Sequence, residues 1–348
     1  MASTLAGVAW LAGLQLTGAS AVLASWALGF GMLPGTLIFI VALALGCEIA
    51  SLPFVFYRAF LLERKYGLSS EPLSTWLRDH VKALGLGLLI AIVAGFAVLT
   101  AIRLAGDSWW MLSAGLFFVV AVLLSRVAPV ALMPLFYQFR PLERDALRER
   151  LLTLSKRAGI PVLGVFEWGL GEKTTRANAA LVGAGSTRRI LLSDTMLKDY
   201  SDDEIEVILA HELAHHVHHD IWTALALETL CVAAALSGAH AAAAILSPRF
   251  GLVGPADLAA LPLLVLAAGA VSLLLAPLSN AWSRRNEHRA DRFALTLTRR
   301  SDAFVSAMRR LGAQNLAEER PSTLVLWFFH THPTLDDRIA RARAFESA

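Results

Sequence analysis

Six apolar stretches, at residues 5–30, 33–57, 83–102, 109–133, 221–246 and 258–282, alternate with polar segments along this chain. Each approaches the roughly 20 apolar residues that cross a bilayer as a helix, so the pattern predicts six transmembrane spans. Arg126 interrupts the fourth. The first stretch has no basic leader and a second follows at once, which reads as a retained span and not a cleaved signal peptide.

The polar segments carry periodicities of their own. Within 134–220, Pro141 opens and Gly159 closes a predicted helix, and β-rich runs follow at Val162–Trp168, Asn178–Val182 and Arg188–Leu192. Ser201 and Glu204 then form a capping box, and Ile205, Ile208, Leu209 and Leu213 make an apolar stripe, predicting a helix from Ser201 to His219. Beyond Ser283 the chain reads as mainly helical, with Ser301 and Thr334 as N-caps.

Composition agrees with a membrane protein: 56% of residues are apolar, 17% are charged, and the mean hydropathy is +0.57. Charge adds an orientation. Residues 58–82, 134–220 and 284–348 hold five, eleven and twelve Lys and Arg, which is 28 of 31. Under the positive-inside rule these segments, and with them both termini, face the cytoplasm. The net charge of +3 therefore reflects topology, and no basic motif points to nucleic acid. Cys47 and Cys231 both fall in predicted spans and read as small apolar residues, with neither a disulfide nor a thiolate site expected. Glu48, Arg126, Glu228 and His240 fall within or near spans, where packing or cavity-lining roles are expected ahead of catalysis.

Five of the ten histidines lie at 211–219, in His211-Glu-Leu-Ala-His215 followed by His216, His218 and His219. On a helix, residues four apart share a face, so His211 and His215 can aim at one ion with Glu212 beside them. His219 is excluded as a third ligand, since eight residues span roughly 12 Å along a helix. His216 and His218 read as solvated surface residues. Catalytic zinc takes three protein ligands and leaves a position open. Glu287 is the best candidate for the third, with Asp291, one turn on, as its alternative or as the acceptor of the free ring N–H of a ligating histidine. Glu212 then serves as general base, and His332 or Arg338 as an oxyanion donor.

Many short segments resemble the type I CAAX prenyl endopeptidases, a family of integral-membrane zinc proteases. They include Ser51-Leu-Pro-Phe, Glu63-Arg-Lys-Tyr-Gly, Ala128-Pro, Pro134-Leu-Phe, Phe139-Arg-Pro-Leu-Glu143, Asn178-Ala and Arg189-Ile-Leu-Leu-Ser-Asp-Thr195. They continue with the His211 pentapeptide, Ser283-Arg-Arg-Asn-Glu287-His-Arg-Ala-Asp291 and His332-Pro-Thr-Leu-Asp-Asp-Arg338. The resemblance implies a gluzincin-type site with His211, His215 and Glu287 on zinc and Glu212 as base. It also implies His332 and Arg338 at substrate or oxyanion, and Asn178 on an edge strand that pairs with an extended peptide. Two departures stand out. Six spans are expected here where the eukaryotic enzymes have seven, and Asp220 stands where they commonly have histidine, as in the related heat-shock membrane metalloproteases.

The expected fold is thus an α-helical polytopic membrane protein of about six transmembrane helices with a cytoplasmic α+β gluzincin-type protease domain. Residues 1–133 would carry four spans and a loop at 58–82. Residues 134–220 would form the protease segment, 221–282 a transmembrane hairpin, and 283–348 a helical segment bringing the third ligand. The expected activity is zinc endopeptidase, with one Zn²⁺ per chain, on peptides or membrane-associated proteins in a bacterial plasma membrane. Quality-control proteolysis of the heat-shock type is the alternative activity. A non-catalytic chaperone or transporter component with structural zinc is the third reading; an intact Glu212 and an open three-ligand site argue against it.

Overall fold

The computed structural model describes residues 1–346 except 184, 317, 319 and 320. In chain order the helices are α1 (Ala2–Leu16), α2 (Ala19–Leu28), α3 (Met32–Phe56), α4 (Leu73–Ala105), α5 (Trp109–Val127), α6 (Asp145–Arg157) and α7 (Asp194–Asp199). They continue with α8 (Asp202–Val217), α9 (Asp220–Leu246), α10 (Leu261–Thr298), α11 (Ser301–Gln314), α12 (Thr323–Phe329) and α13 (Leu335–Glu346). Four strands, β1 (Phe139–Pro141), β2 (Gly164–Trp168), β3 (Ala179–Val182) and β4 (Arg189–Ser193), form one sheet in the order β1-β2-β4-β3. The β2–β4 pair is parallel and the other two pairs are antiparallel.

The chain divides into two compact units. The first, Met1–Tyr66, Pro72–Val119 and Glu228–Leu275, holds most of the apolar helices. Four helical stretches, Met32–Lys65, Leu73–Leu135, Asp220–Phe250 and Leu258–Thr298, are long and apolar enough to cross a membrane, and α1 with α2, bent by 78°, makes a fifth if taken as one span. The expected third and fourth spans both fall in Leu73–Leu135. At about 1.5 Å per residue its 63 residues would run about 95 Å if straight, about three hydrocarbon thicknesses. Helical geometry breaks inside it at Gly106, with φ 50° and ψ −127°.

Small residues let these helices approach closely, as is general where packing and not the hydrophobic effect joins helices. A Cβ at Gly46 would collide with the Trp10 ring, and one at Gly238 with Val271. Ala27, Ala239 and Ala243 are fully buried in the same core as Phe39 and Trp109. Two of the four ionisable residues expected to pack are paired: Glu48 Oε1 lies 2.9 Å from His80 Nε2, and His240 Nδ1 accepts a bond of 3.1 Å from Trp109 Nε1. Arg126 and Glu228 are instead exposed. Cys47 and Cys231 form no disulfide.

The second unit, Gly67–Glu71, Val120–Leu227 and Ala276–Ala348, contains the sheet and α8. Its core joins Leu147, Leu151 and Leu154 of α6, at helical spacing, to Ile205, Leu209 and Leu213 of α8, Ile190 and Leu192 of β4, and Phe304 and Met308 of α11. Pro141 lies in β1 and not in a helix, and α6 starts at Asp145, because Phe139–Pro141 pairs with Phe166–Trp168. The capping residue of α11 is Arg300, which leaves Ser301 as the first helical residue and not the cap. Thr334 does cap α13, accepting from the Asp337 N–H at 3.3 Å.

The start of α8 is over-determined. Ser201 accepts from the Glu204 N–H and the Glu204 carboxylate accepts from the Ser201 N–H at 2.8 Å, closing the capping box. Ser306 donates to the other oxygen of Glu204 at 2.6 Å, which ties α11 to the same cap. Replacing Ser201 by Ala should cost about 1 kcal/mol, seen as a lowered unfolding temperature in detergent.

Candidate active site

Helix α8 places His211 and His215 one turn apart, and α10 brings Glu287 and Asp291 to them. His211 Nε2 and His215 Nε2 lie 3.3 Å apart. Glu287 Oε2 is 3.3 Å from the first and Oε1 is 3.5 Å from the second. One donor atom from each of the three residues lies within 4.8 Å of the others. The cluster is interior, with Glu287 only 6% and Asp291 4% exposed.

The second nitrogen of each imidazole is occupied. His211 Nδ1 is 2.9 Å from Asp291 Oδ1, and His215 Nδ1 is 2.8 Å from Asp220 Oδ2. With both rings neutral, these carboxylates fix the N–H on Nδ1, so the two Nε2 lone pairs point at each other. Lone pairs at that separation repel unless a cation lies between them. Glu287 Oε2, buried and without a hydrogen-bond partner among the described residues, adds a third unsatisfied donor atom. Burial pushes the His211 imidazole down, but Asp291 and Glu287 outweigh it and raise its pKa to about 9, so without a metal the carboxylates hold a proton on this ring, and a cation binding between the neutral rings takes that proton's place. The donor set of two imidazoles and one carboxylate fits a divalent metal of the zinc type.

Asp220 was not assigned a role from sequence. It follows His215 by five residues, but His219 adopts φ 57° and turns the chain between α8 and α9, which brings the carboxylate back onto the ring. Arg289 donates to its other oxygen, so Asp220 is held from both sides. Replacing Asp220 by Ala should weaken metal binding about 10–100-fold, measurable by competition with a chelator.

Glu212 follows His211 on α8. Burial pushes its carboxyl above the ordinary range, with Glu287 acting in the same direction and both histidines opposing. His332 reaches the cluster from the segment after α12, with Nε2 3.4 Å from Glu287 Oε1 and its side chain 63% exposed. That segment is anchored by Arg284, whose Nη1 donates to the carbonyls of Leu326 and His330 at 3.0 and 2.7 Å.

Arg338 is placed differently from the expected substrate contact. It is 9% exposed, and its Nε and Nη2 donate to Asp291 at 2.9 and 2.6 Å. Its guanidinium is committed to the carboxylate behind His211. Asn178 immediately precedes edge strand β3, exchanging bonds of 2.9 Å with Ser193. His216 and His218 are more than solvated surface: His216 Nε2 donates to the Leu181 carbonyl at 3.1 Å, and His218 packs edge-on against Phe293.

Residues 141–346 match Peptidase family M48. The chain belongs to that family. Residues 1–138 of this M48 peptidase match the family described as CAAX prenyl protease N-terminal, five membrane helices. Membership makes the chain an integral-membrane metalloendopeptidase. It is 30% identical over 317 residues to the Bacillus subtilis protein named uncharacterized metalloprotease YhfN, covering 89% of this chain and 74% of that one. It is 30% identical over 312 residues to the probable CAAX prenyl protease 1 of Schizosaccharomyces pombe, covering 87% of this chain and 64% of the relative. The crystal structure of S. mikatae Ste24p superposes with a TM-score of 0.81 at 24% identity, over 88% of this chain and 75% of that one. The M48 peptidase therefore shares the mostly helical Ste24p fold.

Proposed function

We propose that the chain is a zinc endopeptidase of a bacterial plasma membrane, with His211, His215 and Glu287 as the ligands of one ion and Glu212 as general base. The observation that carries this reading is the convergence of three donor atoms within 4.8 Å, with the half-buried Glu212 next to His211 in the chain. Zinc bound there supplies a Lewis acid that polarises the scissile carbonyl and makes water a better nucleophile. Glu212 takes the proton of the attacking water and passes it to the leaving amine, a role that its raised pKa favours. His332, exposed beside Glu287, donates to the oxyanion. Asp291 and Asp220 orient the two imidazoles, and Arg338 and Arg289 hold those carboxylates, which makes Arg338 a positioning residue. An extended substrate pairs with the outer edge of β3, which begins just after Asn178.

We further propose six crossings: the bent α1–α2 pair, α3, α4 and α5 separated at Gly106, α9, and the first part of α10. The termini and the site then face the cytoplasm, in line with the distribution of Lys and Arg. The domain boundaries are those of the crossings, at 133, 220 and 282.

The names of the eukaryotic relatives support a prenylated C-terminal peptide as substrate. Asp220, in the place of the histidine common in those enzymes, favours quality-control proteolysis as the second reading. Cleavage of a prenylated CAAX peptide, its unprenylated form and an unfolded membrane protein should be compared for wild type and Glu212→Ala. Glu212-dependent cleavage of the prenylated peptide alone supports the first reading, cleavage of the unfolded protein the second. Zinc binding with no cleavage of any of the three contradicts both.

A further inference from the structure

Beyond Glu287, helices α10 and α13 line a half-open cavity of about 560 Å³, of whose wall the peptidase reading uses only Arg289, Asp291 and Arg338. Its polar wall is His288, Arg289, Asp291 and Arg292 from α10 with Arg338 and Arg341 from α13, and Leu295 and Phe345 add apolar surface. Four guanidinium groups thus face one carboxylate.

Part of that charge is used nearby, but much of the donor capacity is left over. Arg338 is committed to Asp291 through Nε and Nη2. Arg289 uses Nη2 alone, for Asp220 and Asn286, and Arg341 uses Nε alone, for Asp337. Arg292 has no side-chain partner among the described residues, and it is exposed. Each guanidinium carries five N–H donors, so Arg289, Arg292 and Arg341 hold several that can converge on one multi-oxygen anion. His288, also on the wall, has its Nε2 3.3 Å from Asp337 Oδ2, so its imidazole is turned to that carboxylate. A tetrahedral phosphate suits these guanidinium groups, because its anionic oxygens accept forked bonds from arginine. The apolar surface of Leu295 and Phe345 suits the carbon skeleton of an ester.

We propose that this cavity is a phosphate-binding site, taking the phosphoryl group of an anionic lipid headgroup or of a soluble phosphate ester. Arg289 and Arg338 are shared between its wall and the carboxylates that orient His215 and His211, so the site adjoins the metal cluster through those two residues. The proposal does not depend on the peptidase reading.

The test uses the full chain in detergent, titrated with inorganic phosphate by calorimetry, and in nanodiscs of phosphatidylglycerol or phosphatidylcholine scored for retained lipid. Saturable phosphate binding, or selective retention of phosphatidylglycerol, is expected. Either should weaken about tenfold or more in Arg292→Ala/Arg341→Ala, with zinc stoichiometry unchanged. Arg292→Glu alone, at an exposed position, should do the same if the double variant fails to fold. Binding of inorganic phosphate identifies a soluble source, and retention of the lipid alone identifies the headgroup. No saturable binding in either format, or equal binding by wild type and the Arg292 variants, overturns the proposal.

Discussion

Glu212→Gln should abolish peptide hydrolysis, lowering kcat by about 10²–10⁴-fold, while the chain still binds one equivalent of zinc. Gln is nearly isosteric with Glu and keeps the burial of the site, so only the capacity to accept a proton is lost. The residue lies next to His211 on α8, and burial pushes its carboxyl above the ordinary range, which makes the carboxylate a stronger base than an exposed one. Because Glu212 is not one of the three convergent donors, metal content should not follow activity. The check is kcat and zinc stoichiometry on the same preparation. A Gln variant with wild-type kcat would place the base elsewhere, and one without zinc would make Glu212 a ligand.

Glu287→Ala should lose the metal itself. The two imidazoles would remain, still held by Asp291 and Asp220, but the carboxylate whose oxygens face both Nε2 atoms would be gone. The loss of affinity should exceed the roughly 10–100-fold typical of removing an outer partner, so zinc measured after dialysis should fall to background. Asp291→Ala should weaken zinc without removing it, since Asp291 meets only the far nitrogen of His211. If Asp291→Ala emptied the site while Glu287→Ala stayed loaded, the assignment of the two carboxylates would be reversed.

Much of this site is legible in the sequence because helical periodicity is local. His211 and His215 share a face at four-residue spacing, and so do Glu287 and Asp291, so each pair could be read without knowing how α8 and α10 meet. The capping box at Ser201 and Glu204 is equally local. What could not be read depends on turns and on long-range pairing. Asp220 reaches His215 only because a non-glycine residue, His219, takes a positive φ. Arg338 reads as a substrate contact from its motif, whereas its burial against Asp291 follows from how α13 packs. Pro141 looks like a helix opener until its neighbours pair with β2, where a proline is tolerated on an edge strand. In the membrane portion, apolar length located every long helix, but it could not reveal the 78° bend between α1 and α2.

The donor atoms define the site, and zinc K-edge X-ray absorption of the purified wild-type chain reads them directly. It should give a first shell of nitrogen and oxygen at about 2.0 Å, with outer-shell scattering from two imidazoles. A sulfur contribution near 2.3 Å, or scattering from three imidazoles, would contradict a site built from His211, His215 and Glu287.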